Sequence, residues 1–232
     1  MPGILARLAE IGYREVEFAG YFGRTPAQVR QMLEQNRLAA PSSHIGYEAV
    51  KANFAKAADD CMAIGHQFIT VPFLPDDVRK SADTWRQVAR DFNRFGEQAK
   101  SRGLKFAYHN HDFEFKRVDG ILPFDLLLAE TDPALVSFEM DVYWMVKAGG
   151  DPLAYFRQHP TRFSMLHLKD SAGPPNHAQT DVGAGTINFA AILTLDARQQ
   201  SSVKHVFVEH DQPPMPMAFA KNSFDNLSKL EY

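Results

Sequence analysis

The residues best equipped for chemistry are histidines and carboxylates at the ends of short apolar runs. His109 closes KFAYH (105–109), Asp141 closes VSFEMD (136–141), His167 is next to last in FSMLHL (163–168), and Glu209 closes KHVFVE (204–209). Imidazole nitrogens with carboxylate oxygens and no thiolate form the donor set of a divalent ion such as Mn²⁺, Mg²⁺, Co²⁺ or Zn²⁺, and the lack of sulfur favours the harder end of that series. The densest stretch is YHNHDFE (108–114), where His109 and His111 alternate on one face and Glu114 follows on the next loop. Two histidines at a strand end also occur as half-exposed or merely hydrogen-bonded groups, but matching groups on the neighbouring runs tip the balance toward function. An aspartate that follows an apolar run is costly to bury unpaired, so Asp141 points to a cation. The same logic applies to His167.

Other polar positions leave two readings open. Lys169 either forms a surface ion pair with Asp170 or contacts substrate. Trp144 stacks on a sugar face or simply packs. Glu17 and His44 close the first two runs, where substrate contact and packing against the helix layer weigh equally. Glu209 shares side-chain parity with Phe207 and faces the interior if Phe207 does. Gly183-Ala184-Gly185 makes a tight turn more readily than an anion cradle.

These groups must be positioned by elements that alternate along the chain. Strand-like runs fall at 13–18, 38–44, 67–72, 105–109, 136–141, 163–168 and 204–209. Helical spacing of apolar residues occurs at 4–11, 26–35, 47–64 and 82–101, with Gly65 and Gly103 following the last two as C-caps. Asp151-Pro152 and Thr131-Asp132-Pro133 suit helix starts or turns. This alternation predicts an α/β fold with a parallel sheet, a TIM-type barrel in one domain over residues 1–232, whose C-terminal strand ends share a face. Seven strands are visible and none precedes the helix at 4–11.

Composition narrows the partners. In 232 residues, 25 Lys+Arg stand against 28 Asp+Glu, a net charge of -3, which argues against nucleic-acid binding. The single cysteine, Cys61, excludes an internal disulfide and a cysteine zinc cage. No basic leader and no run of about 20 apolar residues is present, so a cytoplasmic protein off the membrane, acting on small neutral ligands, is expected.

Taken together, these segments make the chain resemble the sugar phosphate isomerase/epimerase family of xylose-isomerase-like TIM barrels. That family includes ketose 3-epimerases, inosose dehydratases and endonuclease IV. The most specific pieces are YHNHDFEF (108–115), FEMDVYWMVKAGGDP (138–152), RFSMLHLKD (162–170), VGAGTINF (182–189) and VFVEHD (206–211). The resemblance implies one divalent metal held by Glu, Asp, His and Glu from successive strand ends, and Asp141, His167 and Glu209 fall on the last three. At the first position this chain has His109-Asn110-His111 where many members have Glu-Asn-His. Either His109 is the ligand or Glu114 reaches back from the loop. Glu114 is the expectation, leaving His109 and His111 to contact substrate or act as acid and base. Family members begin with a strand that is missing here, so a barrel with a gap is expected, closed by a partner chain, a terminal segment or nothing. A homodimer is the assembly the resemblance implies.

The activity so implied is a metal-dependent isomerisation or epimerisation of a sugar or keto-sugar through an enediolate, with Glu209 or His111 moving the proton. A lyase or dehydratase acting on a keto-inositol or 3-keto-glycoside shares the first step and is the near alternative. A non-catalytic sugar-binding barrel is the third. Metal-dependent hydrolases with a His-x-His motif carry it on their first strand, whereas here it is mid-chain.

Overall fold

A computed structural model describes residues 1–199 and 202–231 of the chain. Six parallel strands form one sheet in the order β1 (Ser42–His44), β2 (Phe68–Val71), β3 (Lys105–His109), β4 (Val136–Asp141), β5 (Phe163–Leu168) and β8 (His205–Val208). The first expected run, 13–18, is less regular than predicted. It joins the sheet through single parallel bridges, Glu15 to Ala39 and Phe18 to Ser43. The second run pairs as a strand only over its last three residues. An antiparallel pair, β6 (Asp170–Ser171) with β7 (Gln179–Thr180), was not foreseen.

Strands β2 to β5 are buried on both faces over most of their length, as parallel sheets require, whereas Val206 on the edge strand β8 is 39% exposed. Phe106, Tyr108, Phe138, Met140, Leu166 and Leu168 point outward into the main core, against α5 (Ala82–Ser101) and α6 (Pro123–Glu130) among others. The alternate residues point inward, and Phe68, Ala107, Met165 and Phe207 form a small apolar cluster of their own. That cluster is the floor on which the polar interior rests.

The helix expected over 47–64 is two helices, α3 (Tyr47–Ala52) and α4 (Phe54–Ile64). Asn53 breaks it by adopting an extended φ of -153° and accepting the Lys56 N–H on its side chain, as an N-cap residue does. Asp151 caps α8 (Pro152–Gln158) as its sequence suggests, and Thr131-Asp132-Pro133 forms the turn after α6.

Residues 2–11 are the helix α1, so no strand comes from the N-terminal segment. Among the described residues β8 pairs only with β5, and its other edge faces the 13–18 segment. Side chains bridge this seam: His205 Nδ1 lies 2.8 Å from Glu15 Oε2. Behind it Tyr13 donates to Ala220 O at 2.8 Å and packs edge-on against Phe224 of α10 (Pro216–Leu227). A cavity of about 190 Å³ remains there, lined by Val16, Phe18, Val206 and Val208 among others.

One close approach holds the helix layer onto the site-bearing strands. A β-carbon on Gly96 of α5 would lie 2.5 Å from the backbone oxygen of Leu135, which leads into β4. Gly96→Ala is therefore expected to destabilise the chain by roughly 1–3 kcal/mol through overpacking, outweighing the helix preference for Ala of about 1 kcal/mol. Urea unfolding checks the sign, and an unchanged or higher midpoint would refute the packing argument.

Candidate active site

Four inward residues meet at the carboxyl end of the sheet. His109, Asp141, His167 and Glu209 each bring one ligand atom into a group whose members all lie within 4.8 Å of one another. Register explains part of this. β4 and β5 pair Phe138 with Phe163 and then Glu139 with Met165, so one residue of β5 is skipped. The skip sets Asp141 beside His167 rather than beside outward-facing Leu166.

Asp141 is also the N-cap of α7 (Val142–Lys147). Its Oδ1 accepts the Trp144 N–H at 3.0 Å, leaving Oδ2 for the cluster. Asn110 ties the two strand ends together, donating to Asp141 O at 3.2 Å and accepting from Asp141 N at 3.1 Å. His109 Nε2 lies 3.5 Å from Asp141 Oδ2, and His167 Nδ1 lies 2.6 Å from Glu209 Oε2.

Lys169 enters the same space. Its side chain is 2% exposed, with Nζ 3.0 Å from Asp141, 2.9 Å from Glu209 and 2.8 Å from Asp211. The pair with Asp170 does not form. Asp170 instead accepts the Gly183 and Gly185 N–H groups at 2.9 Å each and that of Ile187 at 3.2 Å. The glycine loop thus does cradle an anion, and the anion is the chain's own carboxylate. A β-carbon at Gly185 would come within 2.4 Å of Asp170 Oδ1, so glycine is required there.

A second polar layer meets the first from the other side of the imidazoles. Glu139 Oε2 lies 3.0 Å from His109 Nδ1 and 2.8 Å from His44 Nε2, while Glu17 Oε2 lies 2.7 Å from His167 Nε2 and 2.9 Å from His44 Nε2. His44, His109, Glu139 and His167 form another group with donors within 4.8 Å. Glu17 and His44 are therefore gathered into the interior, not left in the helix layer.

Glu114 stands apart from both groups, which corrects the expectation that it reaches back to the cluster. Its carboxylate is fully buried and turned to the Tyr108 hydroxyl and to the His111 N–H, the latter at 2.9 Å. Those bonds hold the loop after β3 in place. His109, the alternative for that position, is the residue that stands with Asp141, His167 and Glu209. His111 lies beside the cluster, its ring 5.0 Å from that of His109 and 5.4 Å from that of Trp144. Its Nδ1 and Trp144 Nε1 are buried without a partner.

Charge follows from burial and neighbours. Burial lifts the Asp141 carboxyl to about 6, against the opposing pull of Lys169 and His167. Burial also opposes charge on Glu209, yet His167 and Lys169 outweigh it and hold this carboxyl well below the usual range. Lys169 is desolvated too, but Asp141, Glu209 and Asp211 keep it firmly protonated. Burial, then the Lys169 charge, pushes His111 down to about 4, so its imidazole is neutral. His44 is raised to about 9, burial being overcome by Glu17 and Glu139.

The donor set fits a divalent cation. Two imidazoles and two carboxylates converge, and Asp141 Oδ2 is buried with no hydrogen-bond partner, facing Lys169 and His109 only as ion-pair contacts. Sequence reading missed Glu139, Asn110, Asp170 and Asp211. Glu139 had a signal, because it lies two residues before Asp141 and so shares its face.

A parallel α/β sheet with its functional groups at the carboxyl strand ends is the TIM-barrel arrangement. The chain belongs to the xylose isomerase-like TIM barrel family, whose model matches residues 5–199. An inosose dehydratase of Lacticaseibacillus casei is 26% identical over 240 residues, covering 88% of this chain and 79% of that protein. One of Bacillus anthracis is 24% identical over 246 residues, covering 90% and 82%. The crystal structure of a sugar phosphate isomerase/epimerase from Parabacteroides distasonis superposes with a TM-score of 0.85 at 29% identity, covering 98% of this chain and 91% of that one. Among the described residues no helix is long and apolar enough to cross a membrane.

Glu114 gives a test of this electrostatic picture. Burial raises its carboxyl from 4.5 to about 7. The folded chain therefore holds this proton after the unfolded chain has released it, so stability falls as pH rises from 4.5 to about 7 and then levels. Glu114→Gln lacks the titration. Its stability relative to wild type is expected to improve between about pH 5 and about pH 8, read by urea unfolding, and a pH-independent difference would contradict the buried carboxyl.

Proposed function

We propose that the chain is a metal-dependent enzyme that removes the proton next to the carbonyl of a sugar or keto-polyol. The observation that carries this reading is the convergence of His109, Asp141, His167 and Glu209 from four neighbouring parallel strands. These four would hold one divalent ion of the Mn²⁺, Mg²⁺, Co²⁺ or Zn²⁺ class. Such an ion supplies Lewis acidity toward a carbonyl and an adjacent hydroxyl, making the neighbouring C–H acidic.

The remaining groups divide the work. Glu209 stays ionised and its side chain is 37% exposed, so it can reach substrate as the base. His111, neutral and with a free buried Nδ1, is the second proton carrier. Lys169 keeps its charge and meets developing negative charge on a substrate oxygen. The Trp144 ring, 5.8 Å from Lys169 Nζ, offers a flat face to a sugar.

Two outcomes follow from the same proton removal. Return of the proton to another carbon or face gives an isomerase or epimerase, as the name of the Parabacteroides structure suggests. Loss of a β-oxygen gives a lyase, and the inosose dehydratases among the relatives favour this second reading at least as strongly. In either case Lys169 and His111 are the groups placed to assist the oxygen.

The test is a panel of ketoses, inososes and 3-keto-glycosides in D₂O with added Mn²⁺, followed by NMR. Deuterium is expected at the carbon next to the carbonyl, with either a rearranged sugar or an unsaturated ketone as product. Asp141→Asn is expected to lower exchange by at least about 100-fold. Ligand binding by the metal-loaded protein without any exchange across the panel would instead support a non-catalytic sugar-binding barrel.

A further inference from the structure

We propose that Glu139 and Glu17 are positioning residues of the metal centre. From the layer beneath it they accept the far N–H groups of His109 and His167 and so fix which nitrogen of each ring faces the ion. The inference rests on the reading that His109, Asp141, His167 and Glu209 hold that ion.

The two rings are used in opposite senses. His109 turns Nδ1 to Glu139 at 3.0 Å and Nε2 toward Asp141 at 3.5 Å. His167 turns Nε2 to Glu17 at 2.7 Å and Nδ1 to Glu209 at 2.6 Å. A neutral imidazole carries one N–H and one lone pair, and only the lone pair binds a metal. An ionised carboxylate accepts hydrogen bonds and donates none. With an ion among Asp141 and Glu209 in place of the ring proton on that side, Glu139 would keep the His109 proton on Nδ1 and Glu17 the His167 proton on Nε2. Each choice leaves the lone pair on the nitrogen that stands with Asp141 and Glu209.

Glu139 is fully buried and the Glu17 side chain is 6% exposed. Among the described residues neither forms an ion pair with Lys or Arg; histidines are their partners. His44 bridges the two, its Nε2 lying 2.9 Å from Glu17 and 2.8 Å from Glu139. The second oxygen of each carboxylate, Oε1, is buried and unpartnered. Two carboxylates so placed are expensive unless they act on what they touch, and what they touch are the two imidazoles of the metal set. Carboxylates behind metal-binding histidines orient the ring and raise its basicity.

The rival is an ion in the lower group itself, at His44, Glu139, His109 and His167. The two groups cannot both be filled while His109 and His167 keep their ring protons, because each ring would need a lone pair on both nitrogens. The upper group includes Glu209, which is part-exposed, whereas the lower one adjoins the apolar floor of Phe68, Ala107, Met165 and Phe207.

The experiment titrates Co²⁺ into the metal-free full chain against a chelator and records affinity, stoichiometry and the visible spectrum of the bound ion. Variants are Glu139→Gln, Glu17→Gln and Asp141→Asn, with thermal unfolding of the metal-free forms as control. Wild type is expected to bind one ion. The Gln variants are expected to bind one ion about 10–100-fold more weakly with a shifted spectrum, and Asp141→Asn is expected to lose it. Gln variants that bind as wild type does would overturn the inference while leaving the reading of Asp141 intact. Loss of the ion from Glu139→Gln, with retention in Asp141→Asn, would move the ion to the lower group and overturn both. Absence of Co²⁺ from wild type would remove the metal reading itself. Should a Gln variant fail to fold, nitrogen NMR of the Zn²⁺-loaded wild type still decides. Protons on His109 Nδ1 and His167 Nε2 support the proposal, and either opposite tautomer refutes it.

Discussion

The constraint on which this interior depends is that carboxylates cannot be buried without groups that answer their charge. Glu17, Glu139, Asp141 and Glu209 meet near the axis of a sheet whose inner floor is Phe68, Ala107, Met165 and Phe207. Among the described residues, three imidazoles and one ammonium are the groups that form ion pairs with them. Each carboxylate therefore touches at least one histidine or Lys169, and the groups order one another. Remove the apolar floor and water would solvate them separately. With the floor present they form a layered array, carboxylate beneath imidazole beneath carboxylate, in which each charge is set by its neighbours rather than by solvent.

Backbone features serve this array. The skipped residue in β5 brings His167 level with Asp141, and the capping bond from Trp144 takes one Asp141 oxygen and leaves the other free. The glycine loop is used in the same way. By giving three N–H groups to Asp170 it satisfies that carboxylate, so the adjacent Lys169 is not drawn outward into a simple ion pair and stays among Asp141, Glu209 and Asp211. A local hydrogen-bond pattern thereby decides where a buried charge sits.

Much of this was legible in the residues. Apolar runs ending in His109, Asp141, His167 and Glu209 announce parallel strands with chemistry at one end, because only strand ends sharing a face could bring such separated groups together. Two kinds of information were not legible. Glu114 looked like the missing ligand, but whether a loop carboxylate turns inward depends on competing donors, and here the Tyr108 hydroxyl and the His111 N–H capture it. Glu139 was hidden by its setting inside an apolar strand, where a lone acid is easily passed over. Its role emerges only once register places it opposite His109. The break at Asn53 was invisible for a related reason, since the apolar spacing continues through it and only the side-chain cap marks the change.

The irregular first run and the open seam raise the question of why the site still assembles. The answer lies in which strands carry it. His109, Asp141, His167 and Glu209 come from β3, β4, β5 and the end of β8, four consecutive neighbours in the sheet, so no pairing among them crosses the seam. The seam lies beyond the outer edge of β8. What crosses it is side-chain chemistry, Glu17 reaching His167 at 2.7 Å and Glu15 reaching His205 at 2.8 Å. Backbone pairing there is replaced by two carboxylate–imidazole contacts, one of which belongs to the polar array. The site thus takes its rigidity from a continuous half of the barrel and uses the seam only to bring in Glu17. This is why an incomplete ring of strands still delivers four donors to one point.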